Sequence, residues 1–113
     1  MQVEEIKKAM QFKKAHLNLV QFVLAKGYTV SVFCDGEEEL IKSNNYKDIK
    51  DNIESMDETE IVIYNKENKN AGWAFIIPYN DDEETVSDWT MTSILNEWDN
   101  QYQKLVSGLE AEW

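Results

Sequence analysis

The stretch TEIVIYNKENKNAGWAFIIPY, residues 59–79, decides the fold. Its opening TEIVIY is β-branched and alternating, NKENKN is turn chemistry, and AGWAFIIPY alternates again, so the whole predicts a β-hairpin over 59–79. In the second strand Trp73, Phe75, Ile77 and Tyr79 fall on one side, with Ala74 and Ile76 on the other. Apolar residues on both faces predict a central position for this strand. Pro78, which cannot donate to a ladder, is restricted to a strand end or an edge.

Upstream, YTVSVFCDGEEELIKS holds two more alternating runs around Asp35-Gly36, a pair that tolerates positive φ, and predicts a second hairpin over 28–42. Three amphipathic helices surround the hairpins. The first spans 3–26, with one apolar row at Ile6, Met10, Leu17, Val20 and Leu24 and another at Phe12, Leu19 and Val23. Gly27 stands where a left-handed cap ends such a helix. The second spans 46–56, with Asn45 placed as N-cap and Tyr46, Ile49, Ile53 and Met56 on one face. The third spans 91–107, with Met91, Leu95, Trp98, Tyr102 and Leu105 aligned and Thr90 or Thr92 available as cap. The order α-β-β-α-β-β-α predicts a single α+β domain over 1–113, a four-stranded antiparallel sheet with helices packed on a face.

Charge is unevenly spread along the 113 residues. The net charge is −11, yet residues 1–27 carry five Lys against two Glu, and the remainder carries six Lys against twenty acids. Such a body repels nucleic-acid phosphates and is drawn to basic surfaces, which excludes direct nucleic-acid binding. No apolar run approaches a membrane span, no signal-peptide pattern opens the chain, and a single Cys fits a reducing compartment, so a cytoplasmic location is expected. Arg is absent, leaving no guanidinium fork for bidentate phosphate capture.

Immediately after the apolar strand comes YNDDEETVSDW, residues 79–89, with Asp81, Asp82, Glu83, Glu84 and Asp88 crowded together. The run fails the EF-hand pattern: counting from Asn80 puts Thr85 where Gly is needed and Met91 where a bidentate Glu is needed. No metal site is assigned. His16 and Cys34 are each the single residue of their kind, too few for a tetrahedral zinc site, and neither stands in a nucleophile motif. The four Gly residues are scattered and build no phosphate-cradling loop. No catalytic residue and no cofactor is expected, and the chain is expected to be a binding protein rather than an enzyme.

The acidic clusters are the remaining signal. Residues three and four apart on a helix lie about 5–6 Å from each other, a separation similar to that of successive phosphates. Asp48, Asp51 and Glu54 on the second helix, together with Asp81, Asp82, Glu83, Glu84 and Asp88, form the candidate partner-binding set. Trp89 joins them because tryptophan anchors interfaces, although it can equally staple the third helix to the sheet. Trp73 and Trp98 lie on apolar stripes and are assigned to the core.

The strings VSVFCDGEEELIKS, GWAFIIPYNDDEETVSDWT and LNEWDNQYQKL resemble small acidic accessory proteins of tailed bacteriophages. That resemblance covers roughly residues 28–105 and carries no catalytic residues. It implies a host-cell cytosol and a host-interaction role. The acidic clusters, not the resemblance, add the expectation of a basic host protein as partner, in the extreme with this chain as a nucleic-acid mimic. The alternative is a self-associating module, a homodimer through the first helix, whose acidic surface is only solvating.

Overall fold

A computed structural model describes residues 14–112; of the first helix expected over 3–26, residues 3–13 lie outside the described residues. Among the described residues the chain forms α1 (Ala15–Ala25), β1 (Thr29–Cys34), β2 (Glu37–Ser43), α2 (Tyr46–Glu54), β3 (Thr59–Tyr64), β4 (Asn70–Ile76), β5 (Val86–Trp89) and α3 (Ser93–Glu112). The class is α+β, with all neighbouring strands antiparallel in the order β2-β1-β3-β4-β5.

The sheet has five strands, not the four expected. The extra strand lies inside the acidic stretch, where VSDW pairs with β4. Two features hide it in the sequence. It is an edge strand of four residues, and its register against β4 shifts between Phe75 and Ile76. Val86 lies opposite Ile76 and Trp89 opposite Ala74, so two core-facing residues stand three apart and the period of two is broken. β4 is interior because β5 covers its second edge; the centre of the sheet is β3.

Local signals behave as the residues require. Asp35 and Gly36 both take positive φ, at 52° and 82°, the pairing that lets a two-residue hairpin turn match strand twist. Gly27, at φ 82°, ends α1, and the amides of Gly27 and Tyr28 donate to Leu24 O and Val23 O. Asn45 caps α2 by accepting from the Asp48 amide at 3.0 Å. Neither threonine caps α3 through its side chain: Thr90 Oγ1 accepts the Trp73 amide, and Thr92 Oγ1 is buried without a partner. Helix α3 also runs on past Gly108 to Glu112.

One core binds the layers. Val30, Val32, Ile61, Ile63, Ala74, Ile76 and Val86 from the sheet pack with Leu19, Val20, Val23, Ile49, Ile53, Leu95, Trp98 and Tyr102 from the helices. Gly72 sits where α3 presses on the sheet: a Cβ there would lie 2.7 Å from Leu95 Cδ1. The described part of α1 packs Leu19, Val20 and Val23 into the core, in contact with the sheet and the other helices.

Trp98 is a core residue, 2% exposed, and stacks on Tyr102 while its Nε1 donates to Asn18 Oδ1. Trp73 is not. It lies on the sheet face away from the helices, part-exposed and outside the core cluster. Both faces of β4 are apolar, and the close approach of α3 at Gly72 selects the face with the small residues Gly72 and Ala74 for burial.

Candidate functional site

The acidic turn between β4 and β5 is built by backbone bonds. The Ile77 amide donates to Thr85 O at 2.8 Å, Asn80 N–H donates to Ile77 O, and Glu84 N–H donates to Asp81 O at 2.8 Å, closing a short 3₁₀ turn over Asp82–Glu84. Thr85 is fully buried, and its hydroxyl accepts the His16 amide at 2.9 Å, tying the turn to the start of α1. Asp81, Glu83 and Glu84 are exposed and Asp82 is half-buried. Among the described residues none of the four enters an ion pair. Their field reaches the core side of α3: burial first, then Glu83 and Asp82, push the Tyr102 phenol well above its ordinary pKa. The carboxylates line the turn without converging, and no group of three potential ligands is placed to hold a metal among the described residues.

On α2 the expected acidic row is largely compensated. Lys47 Nζ lies 2.8 Å from Asp51, and this hydrogen bond lowers the aspartate pKa. Lys50 Nζ lies 2.8 Å from Glu54, and His16 Nε2 lies 3.0 Å from the other oxygen of the same carboxylate. Glu54 is thus half-buried and turned toward α1, not outward. Of the three helix candidates, Asp48 alone enters no ion pair among the described residues.

Asp88 and Trp89 separate onto opposite faces of the sheet. The Trp89 ring packs against the core and meets Trp98 edge-on, with centroids 5.9 Å apart. It acts as the staple between sheet and α3. Asp88 faces away from the helices and completes a row that crosses all five strands in register: Glu38, Phe33, Glu60, Phe75, Asp88. The three acids are exposed and both rings part-exposed. Beside this row run Val62 and Trp73, which are cross-strand partners, and the Trp73 indole N–H donates to Glu60 Oε2 at 3.3 Å. Tyr64 lies farther along the same face, with Lys42 Nζ 4.6 Å from its ring centre. Sequence inspection misses this face because its members come from five separate segments. The one available signal is the acid-bearing alternation of TEIVIY, where Glu60 shares a side with Val62 and Tyr64.

Cys34, at the end of β1, is unpaired, and its thiol pKa is raised by burial and then by Asp35, Glu39 and Glu37. It is the reverse of an activated thiolate. Between α1 and α3 runs an open groove of about 370 Å³ lined by Phe22, Ala25, Leu105 and polar neighbours. No helix among the described residues is long and apolar enough to cross a membrane. No family model, curated protein or solved structure matches the chain. The likeness to phage accessory proteins therefore rests on the quoted strings alone.

Proposed function

We propose that this protein is a non-enzymatic binding protein that offers acidic surface to a basic surface of another protein. The observation that carries the reading is the turn Asp81–Glu84, four successive carboxylates held by backbone hydrogen bonds and left without ion pairs among the described residues. A fixed array of uncompensated charge steers association and loses little entropy when a partner binds. Asp88 on the outer sheet face and Asp48 on α2 are further acids without ion pairs among the described residues, whereas Asp51 and Glu54 are occupied by lysines and contribute less. In its sharpest form the partner is a host protein that handles nucleic acid, and the acidic turn occupies the groove that phosphates would fill. The phage resemblance supports the host setting, and the charge spacing supports the mimicry.

The test compares the native protein with a variant carrying Asp81→Asn, Asp82→Asn, Glu83→Gln and Glu84→Gln as bait in a bacterial lysate, at low and moderate salt. Basic proteins retained only by the native bait, and displaced from it by duplex DNA, are the expected result. The same proteins retained by both baits would remove the turn from the interface.

A further inference from the structure

The sheet face opposite the helices is a second and chemically different surface. In the row Glu38–Phe33–Glu60–Phe75–Asp88, acids and aromatic rings alternate strand by strand. Neighbouring strands lie about 4.8 Å apart, so the three carboxylates repeat at about 10 Å, each pair separated by a phenyl ring. Val62 and Trp73 broaden the apolar strip, and the Trp73 indole holds the central carboxylate in place. The five apolar residues Phe33, Val62, Tyr64, Trp73 and Phe75 are only part-buried and stand outside the core cluster.

The charge pattern selects the occupant. Two copies face to face would set three acids against three on a chain of net charge −11, and nucleic acid or an anionic membrane is repelled for the same reason. A basic segment is attracted, and a 10 Å repeat sorts among segments. Alternate residues of a strand on one face are about 6.7 Å apart, too short a step. Residues seven apart on a helix lie about 10.5 Å apart on the same side, with positions three and four between them. We infer that the outer face of the sheet docks a basic amphipathic helix of a partner protein, with Lys or Arg one heptad apart at Glu38, Glu60 and Asp88 and aliphatic side chains over Phe33 and Phe75. This proposal rests on the acidic-binding reading above but places recognition on the sheet, away from the Asp81–Glu84 turn.

A synthetic 18-residue helical peptide with Lys at positions 2, 9 and 16 and Leu between them is the probe, titrated into the full-length ¹⁵N-labelled protein and followed by amide correlation spectra. Saturable shifts are expected at the amides of Phe33, Glu60, Phe75 and Asp88 and at the Trp73 indole. The double variant Glu60→Gln, Asp88→Asn should bind about three- to tenfold more weakly, the scale of two part-exposed ion pairs. Neutralising Asp81–Glu84 should change the affinity less than about twofold. Equal binding of a peptide with the same composition but clustered lysines would reduce the effect to net charge and overturn the proposal. Shifts confined to residues 81–84 would overturn it while leaving the acidic-binding reading intact, and an absence of saturable shifts anywhere would count against both. Concentration-dependent shifts of the same face in the free protein would identify a second copy as occupant, and Overhauser contacts from residues 1–13 would identify the chain itself; either overturns the partner-helix assignment.

Discussion

His16 Nε2 lies 3.0 Å from Glu54 Oε2, joining a fully buried imidazole on α1 to the last turn of α2. Burial lowers the histidine pKa, Glu54 opposes that shift, and Lys14 and Lys50 add to it. The Glu54 carboxyl would be raised by burial, but hydrogen bonds from Lys50 and His16 outweigh this and hold its pKa low.

Both groups make stability fall with acid. An imidazole that resists protonation in the native state charges freely at its ordinary 6.5 once unfolded, so the unfolded chain binds more protons as pH drops below that value. Glu54 adds the same sign below its ordinary 4.5, where the unfolded carboxylate takes up a proton before the native one. Thermal melts from pH 7.5 to 5 should show a falling midpoint, and His16→Gln should flatten the upper part of that slope. An unchanged slope in the variant would detach the effect from His16.

Gly72→Ala should be costly. The added methyl meets Leu95 Cδ1 at 2.7 Å and Thr92 Oγ1 at 3.0 Å in a fully buried contact, so α3 must shift or Leu95 must leave its rotamer. Overpacking of this kind costs about 1–3 kcal/mol, or a midpoint lower by roughly 5–15 °C for a domain of this size. Gly36→Asn is the control, since the turn is open and asparagine accepts positive φ; its midpoint should stay within about 3 °C of native.

The Cys34 thiol should alkylate slowly. With its pKa raised by burial and by Asp35, Glu39 and Glu37, less thiolate is present at pH 8 than in a free thiol. Iodoacetamide consumption followed by mass spectrometry should be slower than that of glutathione under the same conditions. Cys34→Ser should fold normally and leave partner binding unchanged.

Neutralising Asp81, Asp82, Glu83 and Glu84 together should leave the midpoint unchanged or higher. These side chains make no ion pairs among the described residues, and removing four adjacent like charges relieves repulsion. A clear loss of stability would make the turn a structural element.

Light scattering across a dilution series should return a monomer. The described part of α1 already packs Leu19, Val20 and Val23 into the core shared with its own sheet and helices, which takes up the apolar row on that segment. A stable dimer would return weight to the self-associating module.

By itself the sequence determined the second and third helices, the two hairpins and part of their punctuation, because those depend on contacts within a few residues. Asp35-Gly36, Gly27 and Asn45 each act on the backbone beside them, and the apolar periodicities of 46–56 and 91–107 need no distant partner. Tertiary structure alone decided what the charged and aromatic residues do. Whether VSDW becomes a strand depends on the free edge of β4 and a shifted register. Trp73 faces outward because α3 approaches at Gly72 on the other side of β4. Glu54 becomes an internal hydrogen-bond partner because α1 brings His16 to it from 38 residues away. The row from Glu38 to Asp88 exists only once five strands are in register, since cross-strand neighbours are fixed by pairing and not by spacing along the chain.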